Sequence, residues 1–490
     1  MKLMLTLGHN SSAVLVRDES VLCGYEEERL SHVKSDSSFP ALSIAKILEY
    51  FPEARYEVKE VYVSHWFWSF ELPESKYYRP KHISANFPNA KVISHDDYNT
   101  HHDLHAKSMW NFCDGDTSGL TIVADGFGNF GECLSIYSDA RLIHRSYSVL
   151  DSLGLMYQYA TAYLGMKENQ DEYKLLGYEQ QCSSQYKVNI EDAIADVSLA
   201  TYNELMKVTP RLYDMEGMLK IARSKWNAIF TYASPDKSKP EIAYFVQSVL
   251  ERVMYKILTK YDNKNVKVSG GIFYNVKLNN MILRWSDKFE ANPLSGDQGC
   301  AIGFTKVRYS HLYWGLRDLE TKLLGTITAD EIDVIGYSEV FRGNMEFGPR
   351  ALCNTTTLAK PELEIVEKIN SVNGRDTVMP MAPVVTEWYA EKNFNDLEKV
   401  SKSKYFMIIA FDFKEGVVNE TNRGAAHIDS DRQVYTGRIQ IATEKELVHV
   451  LNAFGGILIN TSLNAHGQPI IYDENDFKAM RAIQLFSSIN

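Results

Sequence analysis

GLTIVADGFGNFGECLSIYSD, residues 119–139, runs from an apolar strand through a glycine-rich turn into a second strand. Asp125 ends the first strand just before Gly126 and Gly128, so its carboxylate stands at the lip of a turn that backbone can approach closely. ARLIHRSYSV (140–149) supplies a following strand. The chain opens with the same grammar: LMLTL, the turn GHNSS, AVLVRD and VLCGYEEERL read as strand, tight turn, strand and third strand. A related unit is VKVSGG (266–271), a strand running through two glycines into the helix IFYNVKLNNMI. Between these units lie ALSIAKILEYF and EIAYFVQSVLERVMYKILTKY, with apolar residues at helical three- and four-residue spacing. The pattern predicts an α/β protein.

The C-terminal third restarts with elements of its own: EIDVIGYSEVF, YFMIIAFDF, EKELVHVLNAFGG and ILINTSLN. The change follows a predicted helix, LYWGLRDLETKLL (312–324), and sets the expected division at 1–325 and 326–490. A chain of 490 residues with 45% hydrophobic content exceeds what one core usually absorbs, which agrees with two domains. The net charge of -11 argues against non-specific grip on phosphate backbones. Six scattered cysteines without a C-x-x-C pair suggest reduced thiols and a cytoplasmic protein, not a disulfide framework. The first residues lack a signal-peptide pattern, and the charge-free stretch 447–472 is broken by Asn452, Asn460, Thr461, Ser462 and Asn464, so no membrane span is expected.

HHDLHAKSMWNFC (101–113) reads as a helix that places His101 and His105 one turn apart on one face, the spacing two imidazoles need to share a metal. His102 points about 100° away. Asp125 and Asp297, the latter in SGDQGCAIGF, are glycine-flanked carboxylates. Two imidazoles with carboxylates and open positions suit Fe(II) or a similar divalent ion better than a closed zinc site. The plainer alternatives are a solvated histidine pair and two turn or cap aspartates. Gly270-Gly271 could let a nucleotide lie against backbone at a helix N-terminus, and His9 is the titratable group at the tip of GHNSS. Arg350 in MEFGPRAL, with Ser462 and Asn464 in NTSLNAHGQPII, could cradle an anionic ligand, or be ordinary turn residues.

GHNSSAVLV, HHDLHA, ADGFGNFGE, DEYKLLG, GGIFYNVKLN, GDQGCAIG, MEFGPRAL, RDTVMPMAPVV and NTSLNAHGQPII occur in an order that resembles the O-carbamoyltransferase family of nodulation factor, cephamycin and aminoglycoside biosynthesis. The resemblance implies an N-terminal two-lobed domain of the actin-like ATPase superfamily and a C-terminal YrdC-like α/β domain. It implies ATP and carbamoyl phosphate as co-substrates, carbamoyl adenylate as the product of the second domain, and transfer to a hydroxyl in the first beside a metal, usually iron. Mg2+ and a homodimer are compatible with it. Carried onto this sequence, the metal ligands fall on His101, His105, Asp125 and Asp297. The first-turn histidine falls on His9, and the paired glycines and their asparagine on Gly270, Gly271 and Asn275.

The sequence departs from the pattern in its C-terminal third. V-K-x-R-E and F-R-P-F-A-P become VNGRD and VMPMAP, so Arg375 is kept while Asn373 and Met379 replace a lysine and an arginine. H-V-D-G-T becomes HIDSD, with Gln433 where an arginine follows and Arg432 one residue early. Each lost cation removes a phosphate contact of about 1–3 kcal/mol, leaving more to Arg350, Arg375, Ser462 and Asn464.

For the acceptor, SHWFWSFELPESKYYRPKH (64–82) sets aromatics beside Arg79, Lys81 and His82, a composition able to stack bases and touch phosphates. Some members of the family modify hydroxymethyl pyrimidines in bacteriophage DNA, so such a base is one expected acceptor and a sugar-like or antibiotic hydroxyl the other. The rival classes are an actin-like sugar kinase and a non-catalytic nucleotide- or DNA-binding relative.

Overall fold

The computed structural model describes residues 1–317, 329–373, 381–429 and 431–487. Five strands form the first sheet: β1 (Lys2–Thr6), β2 (Ser12–Arg17), β3 (Ser20–Glu26), β4 (Glu60–Ser64) and β5 (Lys91–Ile93). Their order is β3-β2-β1-β4-β5, with β1 to β3 an antiparallel meander and β4 and β5 parallel to β1. The second sheet repeats this plan with β6 (Leu120–Ala124), β7 (Leu134–Ser138), β8 (Arg141–Ser146), β9 (Asn265–Ser269) and β10 (Lys288–Ala291). Its order is β8-β7-β6-β9-β10, again a meander followed by parallel strands. Even the irregularity recurs, as a register shift between the second and third strand of each meander, at Leu15/Val16 and at Ile136/Tyr137.

This duplicated topology is the two-lobed actin-like arrangement expected from the sequence. It has a positional consequence. Thr6 pairs with Ser64 and Val123 with Ser269, so the C-terminal ends of β1 and β4, and of β6 and β9, finish side by side. In parallel α/β sheets such ends are where ligands bind.

The third unit carries a sheet of β11 (Tyr337–Phe341), β12 (Thr355–Ala359), β13 (Ala382–Val385), β17 (Gln440–Ile441) and β18 (Ile457–Ser462) in the order β11-β12-β18-β13-β17. A small sheet of β14 (Phe411–Asp412), β15 (His427–Asp429) and β16 (Val434–Gly437) lies beside it in the order β14-β16-β15. The fold is thus α/β throughout. The halves are packed together: one core cluster runs from Ile122 and Val268 of the second sheet to Phe406, Phe411 and Ile459 of the C-terminal half. Phe112 and Phe406 meet across it with ring centroids 5.5 Å apart.

Three sequence expectations change. Residues 312–317 are not helical: Gly315 pairs with Met345 as an isolated antiparallel bridge, and Trp314 packs on Phe347 at 5.0 Å. Contact with the C-terminal half has overridden local helix propensity there. The remainder of that predicted helix, and the division at 325/326, fall in residues 318–328, outside the described residues. YFMIIAFDF contributes only the two-residue β14. Finally, VLCGYEEERL leaves the sheet at Glu26 and turns into a short helix, Glu27–Ser31. No helix among the described residues is long and apolar enough to cross a membrane.

Candidate metal centre and its surroundings

The helix His101–Phe112 opens with a capping box: Thr100 Oγ1 accepts the Asp103 N–H at 3.3 Å, and the Asp103 carboxylate accepts the Thr100 N–H at 3.1 Å. Two more N–H groups of the first turn are met from outside the helix. His101 donates to Asn129 Oδ1 at 2.8 Å and His102 to Glu132 Oε1 at 2.9 Å. Arg145 pairs with Asp103 at 2.7 Å and with Glu132 at 3.3 Å, neutralising the acids that hold the helix. The N-terminal turn carrying His101 is therefore fixed, and both imidazoles on this face are fully buried.

His101, His105, Asp125 and Asp297 converge. The two Nε2 atoms are 3.2 Å apart. Asp125 Oδ2 is 3.1 Å from His105 and 3.6 Å from His101, and Asp297 Oδ1 is 3.4 Å from His101 and 3.7 Å from His105. Ligands about 2.0–2.2 Å from one ion are about 2.9–3.5 Å from each other at tetrahedral to octahedral angles, so these residues fit a shared divalent cation. The electrostatics agree. Burial opposes charge on His101, but Asp297 and Asp125 outweigh it and hold the imidazole pKa up at about 10. Against the same cost of burial, His101 and His105 hold Asp297 down at about 2 and Asp125 well below the usual carboxylate range. Two enclosed carboxylates draw positive charge to the point between them.

His102 lies off this point. Burial, with His101 beside it, pushes its pKa well below the ordinary value, and its Nδ1 is 2.9 Å from Ser135 Oγ. Sequence reasoning missed Cys300, whose buried Sγ completes a potential donor group with His101, His105 and Asp297 within 4.8 Å. Three positions separate it from Asp297 in one 3-10 segment, Asp297–Phe304, and that spacing was the available signal. Also missed were His65 and His95. His95 Nε2 accepts the His65 N–H at 2.7 Å while Nδ1 lies 2.6 Å from Asn99 O, so the ring is neutral, and burial lowers its pKa to about 3. Asn129 donates to the backbone carbonyl of Phe67 at 2.7 Å and accepts from His101, which ties the end of β4 to the ligand helix.

His9 is not among the groups that meet at the centre. It lies half-buried on the turn after β1, where Gly8, at φ +88°, leaves room for the Trp66 indole: a Cβ on Gly8 would stand 2.2 Å from Trp66 Nε1. Gly270 is fixed by packing too, since a Cβ there would stand 2.2 Å from the Ala124 carbonyl oxygen, and one on Gly271 would stand 3.1 Å from Asp125 Oδ1. Both glycines thus press β9 against the end of β6. Asn275 caps the helix Val276–Trp285 through Leu278 N–H at 2.9 Å and donates to Gln247 at 2.7 Å.

Arg350 sits at the junction of the halves, with its guanidinium 5.9 Å from the centre of the Tyr274 ring. Its buried Nε has no hydrogen-bond partner among the described residues, and burial lowers its pKa from the ordinary value. The hydroxyl of Tyr274 accepts from Gly296 N–H and Gln298 Nε2, each at 2.8 Å, so it brackets Asp297. Ser462 ends β18 and Asn464 follows two residues on; they join through Ser462 Oγ–H to Asn464 Oδ1 at 2.7 Å. Asn460 of the same strand donates to Ala351 O at 2.9 Å, linking β18 to the Arg350 loop. Arg375 and Met379 fall in residues 374–380, outside the described residues, and Asn373 is buried. Arg432 is held by Asp412 at 2.6 Å and Asp429 at 2.8 Å, so its charge is already matched within the protein.

Two family models match this chain, described as carbamoyltransferase N-terminus over residues 70–305 and carbamoyltransferase C-terminus over 330–487. Among named relatives, the nodulation protein NolNO of Sinorhizobium fredii is 27% identical over 552 residues, covering 95% of this chain and 75% of that protein. The 3'-hydroxymethylcephem-O-carbamoyltransferase of Amycolatopsis lactamdurans is 29% identical over 141 residues, 28% of this chain and 25% of that one. Among solved structures, full-length HypF in its phosphate- and nucleotide-bound form aligns with 62% of this chain and 55% of its own at 14% identity and a TM-score of 0.33.

Proposed function

Because the chain belongs to the carbamoyltransferase family, we propose that it makes carbamoyl adenylate from ATP, carbamoyl phosphate and water, releasing pyrophosphate and inorganic phosphate, and transfers the carbamoyl group to a substrate hydroxyl with AMP as the leaving group. The observation that carries this reading is the meeting of His101, His105, Asp125 and Asp297 at the strand ends, with Arg350 entering the same region from the C-terminal half. Carbamoyl transfer to an alcohol needs an activated donor, a group to take the hydroxyl proton, and compensation for charge on the leaving group. The two histidines and two aspartates would hold Fe(II) or a similar divalent ion. Such an ion, when bound, supplies neutralisation of the phosphate that leaves as AMP.

The protein's own groups do the rest. His9, at the mouth of β1, takes the proton of the acceptor hydroxyl. Arg350, Arg375, Ser462 and Asn464 meet phosphate oxygens while the adenylate forms. Gly270 and Gly271 keep the backbone flat where a nucleotide lies against it. A mixed anhydride hydrolyses readily, so the adenylate is passed between the two sites without reaching bulk water. Incubation with ATP and labelled carbamoyl phosphate tests the first half: pyrophosphate release without any acceptor is expected. A kinase would instead release ADP, and a non-catalytic relative would release neither.

For the acceptor we propose a hydroxymethyl pyrimidine in DNA, held along residues 66–82. Trp66 touches Phe67, Tyr77 and Phe127, and Phe127 belongs to the turn that follows Asp125. Arg79 and Lys81 are exposed beyond them, free to meet a phosphate backbone. Replacing both by alanine is expected to weaken use of a DNA acceptor and spare adenylate synthesis. Transfer to DNA should fall steeply with salt, as phosphate contacts release counterions. Salt-insensitive transfer to small alcohols, unaltered by the double substitution, favours the second reading, a sugar-like or antibiotic hydroxyl such as the nodulation and cephem relatives suggest.

A further inference from the structure

We infer that Glu26 and Arg29, carried by the N-terminal half, are positioning residues that aim Arg350 of the C-terminal half. The inference rests on the reading of Arg350 given above. Glu26 ends β3 and Arg29 lies in the short helix that follows; their side chains are 3% and 2% exposed and 3.3 Å apart. Together they grip a single residue of the other half. Arg29 Nη2 donates to Gly348 O at 2.7 Å, and Gly348 N–H donates to Glu26 Oε2 at 3.0 Å. Both polar groups of one glycine are therefore taken by one ion pair.

The grip passes along the chain. Gly348 has φ +103°, and a Cβ there would stand 2.9 Å from Leu294, three residues before Asp297. Pro349 follows, whose ring fixes its own φ and restricts the backbone of Gly348 before it, so few torsions lie free between the clamp and Arg350. On the far side, Glu346 Oε1 accepts the N–H groups of Leu352, Asn354 and Thr355 at 2.7, 2.8 and 3.1 Å. Arg350 is thus suspended between two anchored carboxylates, one from each half.

Why use an ion pair for this? A buried Arg–Glu pair gives up its hydration, and apolar residues of like volume would hold the halves together as well or better. What apolar residues cannot do is fix the plane of the Gly348 backbone. That plane determines whether an arginine whose Nε has no partner among the described residues stands 5.9 Å from the Tyr274 ring, beside the Asp297 segment, or elsewhere.

The test is a double-mutant cycle on the full chain, with Arg29→Met, Arg350→Ala and both together. Pyrophosphate release and ATP binding by calorimetry are the two readouts. Arg29→Met is expected to lower kcat/KM for pyrophosphate release by about tenfold or more. The double variant should be no worse than Arg350→Ala alone, because the clamp acts only through that arginine. Arg29→Lys, which can reach the Gly348 carbonyl with a single point charge, should fall between wild type and Arg29→Met. A wild-type rate in Arg29→Met overturns the inference, as do losses that multiply in the double variant. If Arg29→Met does not fold, the Arg29→Lys cycle carries the same criterion. If the wild-type protein releases no pyrophosphate, the adenylate reading fails and ATP affinity decides the clamp. Non-additive weakening by Arg29→Met and Arg350→Ala then supports it, and wild-type affinity in Arg29→Met overturns it.

Discussion

With His105 replaced by alanine, the purified protein is expected to lose its divalent ion and, with it, about 100- to 1,000-fold in carbamoyl transfer. His105 presents Nε2 to the centre, 3.1 Å from Asp125 and 3.7 Å from Asp297, and its other nitrogen lies 3.5 Å from Ser269 Oγ. Alanine leaves two enclosed carboxylates facing one imidazole. The informative comparison is His102→Gln, three positions before His105 in the same helix and equally buried. Its ring contacts Ser135 and not the carboxylates. That variant should lose about 1–3 kcal/mol of stability and keep one ion per chain. Metal content measured after removal of free ion separates the two cases. Normal content in the His105 variant would falsify the assignment.

Arg350→Ala is expected to lower kcat/KM for pyrophosphate release by about 100-fold, to a rate still measurable, while leaving the melting temperature unchanged or slightly raised. This pairing of outcomes follows from the side chain's situation. A guanidinium whose buried Nε has no hydrogen-bond partner among the described residues, set beside the Tyr274 ring, costs stability in the free protein. A bound phosphate repays that cost, at about 10- to 150-fold in rate for each charge-assisted bond. Strain kept for a ligand is a familiar trade between stability and function. His9→Ala should do the reverse, leaving adenylate formation intact and lowering transfer by about 10²- to 10⁴-fold. Equal loss of both activities in both variants contradicts two separate sites.

The strand ends were legible because their signals are local. An apolar run that stops at Asp125 before two glycines, or at Ser269 before Gly270-Gly271, announces a strand and its turn within ten residues. His101 and His105 were legible through helical period alone, and Thr100 and Asp103 seal that helix as their types suggest. What the sequence hid was set by distant packing. YEEERL reads as the end of a third strand, yet it turns into a helix and its charged groups are enclosed: Glu26, Glu27 and Arg29 are all at most 3% exposed. Glu27 is taken by Leu42 and Ser43 N–H groups, and Glu26 and Arg29 by a glycine more than 300 positions away. His65 and His95 became buried neighbours only when β5 paired with β4. Residues 312–317 kept helical composition but met Met345 first.

The groups that hold the His101–Phe112 helix in place are distinct from the four proposed ligands: Thr100, Asp103, Asn129, Glu132 and Arg145 satisfy its first turn among themselves. If the four proposed ligands hold an ion, the free energy of its binding would not be spent on folding, unlike that of a zinc finger, which collapses when chelated. Such a scaffold can be stripped and reloaded. One preparation can then be reconstituted in turn with iron, manganese, cobalt or zinc, and the choice of element becomes a question of chemistry and cellular supply, separate from whether the chain is folded.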